Sequence, residues 1–183
     1  MGSPANQFGL STEEIFSPCA AAALYYRDAF LQIGGFDEDF FSYFEDVDIG
    51  FRLRLRGNRA LYVPKATVYH VGSASLGMNS DFSLYHSHRN LVWTFFKNMP
   101  TGLLLKYLLA HIITNLSYMV YYILRGRGKI LWKAKLDAIR GLPLIFKKRK
   151  EIQKMRTISN SKLLASMERG WSQLYIREYR HKK

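Results

Sequence analysis

A single cysteine, Cys19, stands in the chain, so no disulfide can close within it and nothing calls for an oxidising compartment. Acids are scarce beyond residue 81: residues 82–183 carry 4 of them against 21 Lys and Arg, a balance of +17. No repeat and no low-complexity tract is present. The start, "MGSPANQFGL", has neither the basic flank nor the apolar run of a secretion signal. Hydrophobic residues make up 48% of the sequence, which excludes a disordered chain, and 183 residues suit one ordinary domain with a real core. The net charge of +13 therefore belongs to a folded protein whose second half is expected to face something anionic, phospholipid or nucleic acid.

The first half runs the other way. Residues 1–81 hold 10 acids and 6 bases. Six of those acids (Asp37, Glu38, Asp39, Glu45, Asp46 and Asp48) fall within twelve residues of "GGFDEDFFSYFEDVDIGFRLRLRGN". Phe36, Phe40, Phe41, Tyr43 and Phe44 are interleaved with them, and a solvated acidic loop has no need of five aromatic rings. Aromatics packed among carboxylates predict a partly buried acidic site, where a carboxylate is held in position and its pKa is tuned.

Cys19–Tyr26, "CAAAALYY", is small and apolar, then aromatic; it reads as a buried strand, with Cys19 a small buried hydrophobe. "RDAFLQIGG" behind it predicts a short helix stopped by glycine. Val47, Ile49, Phe51, Leu53 and Leu55 alternate as in a strand. Acids in front, arginines behind and the Gly57-Asn58 stop suit a helix dipole instead, and favour a helix over Glu45–Arg56. "RALYVP" and "ATVYH", split by Pro64, predict a strand pair or bent strand ending at His70. "SLYHSHRNLVWTFFKNM" predicts a helix stopped near Pro100.

Leu103–Leu124 is the most apolar stretch, and a bilayer span needs about 20 residues. Lys106, His111 and Asn115 interrupt it, and Tyr107, Tyr118, Tyr121 and Tyr122 are rings of the kind that sit at membrane interfaces. A membrane-surface or half-inserted helix is the favoured reading, with a true span and a buried core helix as the alternatives. "RGRGK" and "KKRK" (Lys147–Lys150) are clusters of the kind that attract anionic headgroups, although the second taken alone reads as a solvated face. The break "RGLP" (Arg140–Pro143) separates further basic helices.

"GGFDEDFFSYFEDVDIGFRLRLRG", followed by Pro-x-Ala-x-Val-x-His at Pro64–His70, resembles the C-terminal half of an inverting family 2 glycosyltransferase. The nearest type is the rhamnosyltransferase-like enzymes of bacterial cell-surface polysaccharides. The resemblance covers roughly Ser17 to Pro100, and the basic tail is similar to the family's membrane-associating helices. It implies an α/β fold, the C-terminal half of a GT-A-like mixed sheet, followed by a basic, membrane-associating helical tail. Residues 1–100 then form the acceptor and catalytic-base part, and 101–183 the membrane-associating region.

By the same resemblance Asp46 matches the base that deprotonates the acceptor hydroxyl, with Glu45 assisting in acceptor binding. Inverting transfer needs one carboxylate on the face opposite the leaving nucleoside diphosphate. Phe36, Asp37 and Glu38 match the loop that shapes the acceptor side, and Arg89 of "HSHRN" a position near the donor. His70 matches a histidine that joins a divalent metal, Mg²⁺ or Mn²⁺, on the donor diphosphate. Taken alone, Asp46 reads as a helix N-terminal acid, worth about 0.3–1 kcal/mol. His86 and His88 lack zinc-ligand spacing.

The sequence departs from the family in having no nucleotide-binding βαβ unit before Ser17 and no Asp-x-Asp pair in the place where the family holds its metal. The expectation is a fragment lacking the main donor site, with metal bound only if the aspartate motif is supplied. Its implied partners are a nucleotide-sugar donor, a glycan or lipid-linked acceptor, and the anionic membrane surface on the cytoplasmic face. A non-catalytic basic module binding membrane or nucleic acid is the alternative, and the apolar stretch beside the basic clusters favours lipid over nucleic acid.

Overall fold

The structure, a computed structural model, describes residues 12–69 and 80–167. Those residues are mostly helical, with one two-stranded antiparallel sheet. Strand β1 (Glu13–Ile15) pairs with β2 (Ala60–Tyr62) in the register Glu13 with Tyr62 and Ile15 with Ala60. Between them lie the short helix α1 (Arg27–Gln32) and helix α2 (Glu45–Leu55). Then follow α3 (Asp81–Asn98), α4 (Thr101–Leu124), α5 (Gly128–Arg140), α6 (Leu142–Lys154) and α7 (Asn160–Ser166).

Helix α2 settles the choice between alternation and dipole in favour of the dipole. Val47, Phe51 and Leu55 recur at helical spacing and pack with Met99, Leu103, Ile152 and Leu163 in one core cluster. The three arginines of "RLRLR" leave on different sides and each ties down a separate segment. Arg52 donates to the Ile33 carbonyl at 2.7 Å, Arg54 to the Phe16 carbonyl at 3.1 Å, and Arg56 to the Met155 carbonyl at 2.9 Å. Arg54 also pairs with Glu14 of β1. The strand-like alternation arises because α2 is surrounded, so every face has something to hold. The helix ends where Gly57 takes φ +84°, a left-handed turn that a Cβ would strain. There the N–H groups of Gly57 and Asn58 cap the carbonyls of Arg54 and Leu53 at 2.9 and 3.0 Å.

Helix α3 is the hub. The Ser80 hydroxyl accepts the Ser83 N–H at its start, Pro100 follows its end, and α5 and α6 pack along it. A second core cluster joins Phe40, Val92, Trp93, Ala138 and Ile145, with the Trp93 indole donating to the Ala138 carbonyl at 3.0 Å. The segments on either side of Pro100 share both cores.

Three expectations are corrected. Cys19–Tyr26 forms no strand: a single 3₁₀ turn (Ala20–Ala22) sits in an open segment where Cys19, Leu24 and Tyr26 are exposed. The run of alanines offers too little area to bury, and the segment pairs with neither β1 nor β2. Ala66–Tyr69 is not a strand either, since Pro64 ends β2 and a turn closes from Val63 to Ala66 at 3.0 Å; His70 lies outside the described residues. The partner of β2 is β1, near the start of the chain.

Nor is α4 a core helix. Of its 24 residues Leu103 is the buried one. Length and composition suffice to cross a membrane, with 11% of its most apolar stretch buried. Two of its interrupting polar groups turn inward. His111 stacks flat on Phe95 at 4.0 Å, and Asn115 pairs with Lys135 of α5. The outward face carries Leu105, Leu109, Ile112, Leu116, Val120 and Ile123, all exposed.

Candidate active site

The acidic block divides in two. Asp37, Asp39 and Asp48 are bound to cations that arrive from the basic half of the chain. Lys97 of α3, its side chain 2% exposed, lies 2.5 Å from Asp37 and 2.8 Å from the fully buried Asp48. Lys148 of α6 contacts Asp37 at 2.5 Å and also Asp39. Arg52 completes the set on Asp48 at 2.8 Å, and the Asn98 amide donates to the same carboxylate at 2.7 Å. Three carboxylates meet three cations, so the network is balanced and its burial is supportable. Burial pushes Asp37 up, but Lys97 and Lys148 outweigh it and hold the carboxyl at about 2, below its usual 3.8.

A carboxyl held low in the folded state contributes stability that is present above its unfolded pKa and is lost as pH falls through the folded one. The Asp37 contribution is therefore full above about pH 4 and gone below about pH 2, and is worth about 2 kcal/mol by linkage. Wild type and Asp37→Asn should differ in unfolding free energy by a margin that stays constant near neutrality and shrinks through this window. A pH-independent margin would show that Asp37 does not titrate against the two lysines.

Glu45 and Asp46, at the start of α2, have no cationic partner among the described residues. Asp46 accepts the Val47 N–H at 2.8 Å and the Ala20 N–H at 3.4 Å, and its backbone carbonyl takes the Ser17 hydroxyl at 2.6 Å. Glu45 Oε2 and the Tyr25 hydroxyl are buried without a hydrogen-bond partner among the described residues. Burial raises Glu45, its own backbone N–H opposes this, and the Asp46 charge adds to the rise. Burial raises Tyr25 as well, followed by the charge of Asp46. The two carboxylates and the phenol therefore sit within electrostatic reach of one another. The Tyr25 ring packs edge-on against Phe36 at 6.0 Å and lies 5.5 Å from Phe30, giving the pair an aromatic flank.

The loop leading into this pair is strained. Phe41, Tyr43 and Phe44 all have φ between +60° and +67°, and such residues cost of order 1–3 kcal/mol each. Asn90 of α3, fully buried, holds them: its amide donates to the carbonyls of Phe40, Ser42 and Tyr43 at 2.9, 2.9 and 2.7 Å. Arg89 aims Asn90 by donating to its Oδ1 at 2.9 Å, bonds the Asp39 and Phe40 carbonyls, and lies over Trp93 at 4.2 Å.

Of the residues singled out in the sequence, Glu45 and Asp46 begin α2, and Phe36 packs on the Tyr25 ring beside this pair. Asp37 and Arg89 anchor its loop, Glu38 is exposed, and His70 lies outside the described residues. Missed were Tyr25, Asn90, Lys97 and Lys148. A signal for two of them existed: Asn90, Thr94, Lys97 and Asn98 form a polar stripe at helical spacing along α3, and all four are buried. A divalent metal does not fit the described residues, since no three His, Cys, Asp or Glu side chains converge and half of the acidic block already holds lysines and an arginine.

No protein-family model matches the chain, and no solved structure matches it. Over 64 residues the chain is 45% identical to the N-acetylglucosaminyl-diphospho-decaprenol L-rhamnosyltransferase of Mycobacterium tuberculosis, in the CDC 1551 / Oshkosh and ATCC 25618 / H37Rv strains alike. The match covers 35% of this chain and 21% of that enzyme, so the chain spans about a fifth of the length of the curated relatives it matches. The chain is thus a partial relative of a mycobacterial rhamnosyltransferase, and the relationship it shows is glycosyltransferase-like.

Proposed function

We propose that the chain supplies the acceptor side and the catalytic base of an inverting glycosyltransferase, with Asp46 as that base. One observation carries the reading. Within an acidic block whose other buried members are neutralised, Glu45 and Asp46 have no cation among the described residues, lie beside a phenol unpartnered among them, and directly follow a loop held in strain. Strain and unpartnered buried polar groups gather where a ligand completes the hydrogen bonding.

In the proposed reaction the acceptor hydroxyl oxygen attacks the anomeric carbon of a nucleotide-linked sugar. Its proton passes to Asp46, and the bond to the diphosphate breaks with its electron pair on the phosphate. Glu45, whose pKa burial raises above that of an ordinary glutamate, assists in binding the acceptor; Tyr25 supplies a second polar contact and Phe36 a stacking face. Asp37, Asp39, Arg89 and Asn90 position the loop.

By analogy with the mycobacterial relative, the sugar is rhamnose and the acceptor is a diphospho-lipid-linked sugar. Residues 1–100 then act as the acceptor and base part of a GT-A-like domain, and 101–183 hold it at the cytoplasmic membrane face. The outward apolar face of α4 supports lipid over nucleic acid, because a phosphate backbone offers that face nothing to bury. The test joins the full chain behind a donor-binding half from a rhamnosyltransferase. The fusion should transfer labelled rhamnose to N-acetylglucosaminyl-diphospho-decaprenol. A folded fusion that binds donor and transfers nothing contradicts the proposal.

A further inference from the structure

We propose that the groove where α4 turns into α5 is a phosphate site for the headgroup of an anionic phospholipid; the inference rests on the reading that the outer face of α4 meets a membrane. Two adjoining hollows open there. One, about 480 Å³, is lined by Tyr121, Tyr122, Arg125 and Arg127. The other, about 100 Å³, shares Tyr122 and Arg127 and reaches Ser87 of α3.

The turn is built to present two guanidinium groups. Gly126 adopts φ +73°, its N–H caps the Ile123 carbonyl at 3.0 Å, and the Arg127 N–H caps the Tyr122 carbonyl at 2.8 Å. This glycine closure ends α4 and fixes one arginine on each side of the turn. Arg125 lies over the Tyr121 ring at 4.6 Å and pairs with no carboxylate among the described residues. Arg127 spends Nε and Nη2 on one oxygen of Asp81, at 3.2 and 2.6 Å, which leaves its Nη1 with no carboxylate partner among the described residues.

Forked, permanently charged donors suit phosphate, and tyrosine walls suit the headgroup layer. The apolar side of the assignment lies next door on α4: Val120, Ile123 and Leu124 are 58%, 57% and 82% exposed. A free anion would make no use of that apolar rim, whereas a lipid would place its phosphate on the arginines and its chains along the rim. The +17 balance of residues 82–183 adds general attraction to an anionic leaflet.

The experiment is co-sedimentation of the full chain with vesicles of phosphatidylglycerol in phosphatidylcholine, and with phosphatidylcholine alone. Three proteins are compared: wild type, Arg125→Gln/Arg127→Gln, and the charge-matched Lys129→Gln/Lys133→Gln on α5. Both doubles lose general attraction, and the arginine double is expected to lose about ten-fold more affinity for the anionic vesicles, from its charge-assisted hydrogen bonds. Equal losses would overturn the groove and leave a diffuse basic patch. Saturable binding of inorganic phosphate alone, measured by calorimetry and abolished in the arginine double, would assign the groove to a soluble anion and overturn the lipid. No binding to either vesicle would overturn the membrane reading itself. Sugar transfer is not read out in any arm, so the groove and the transferase proposal fail separately.

Discussion

Lys97→Met should destabilise the protein by about 3–5 kcal/mol, the range for removing one partner from a buried ion network. The lysine ammonium lies between Asp37 and Asp48 and 4.8 Å from the Phe40 ring, with its side chain 2% exposed. Methionine matches the stem but leaves three carboxylates against two cations, with Asp37 and Asp48 in the buried part of the network. Urea denaturation should show a lower midpoint with an unchanged slope, since the surface exposed on unfolding stays the same. The double variant Lys97→Met/Asp37→Asn restores the charge balance and should recover part of the loss, the difference reporting the coupling between the two groups. A loss below about 1 kcal/mol in the single variant would place the network among weak surface pairs.

That network also answers why a basic protein concentrates its acids. Half of the block exists to receive lysines from α3 and α6, 60 and 111 residues further along the chain. Local pattern reading reaches what a few neighbouring residues decide. The dipole and glycine stop of α2, the glycine-ended α1, the Pro100 end of α3 and the Arg140–Pro143 break were all legible in this way. A strand is different, because it needs a partner edge that its own residues do not encode. Cys19–Tyr26 has strand-like composition and pairs with neither strand among the described residues, while β1, only three residues long, found its partner in β2.

Within the site, Glu45 and Asp46 were legible as a motif, and Asp37 was legible as an acid without its role. The role depends on Lys97 and Lys148, and only folding brings those within reach. Asn90 escaped notice because an asparagine inside a helix pattern reads as an exposed polar residue, when here it bonds three carbonyls of a strained loop. On α4, composition showed an apolar run with polar interruptions but not their direction. His111 and Asn115 face the protein while Leu105, Leu109, Ile112, Leu116 and Ile123 face outward, the reverse of a water-facing amphipathic helix.

Asp46→Asn carries the other large expected effect. Asparagine preserves shape and keeps one oxygen for the 2.8 Å bond from the Val47 N–H, giving up only the long 3.4 Å contact from the Ala20 N–H, so the start of α2 should stay intact. What it loses is the ability to take a proton from an attacking hydroxyl, and a positioned general base contributes about 10²–10⁴-fold to rate. The most direct measurement is single-turnover sugar transfer by the full chain joined to a donor-binding half, comparing wild type, Asp46→Asn and Glu151→Gln, an exposed acid of α6. The account predicts a fall of about 10²–10⁴-fold for Asp46→Asn, with donor affinity unchanged and Glu151→Gln matching wild type. An Asp46→Asn enzyme that transfers sugar within a few-fold of wild type would contradict it.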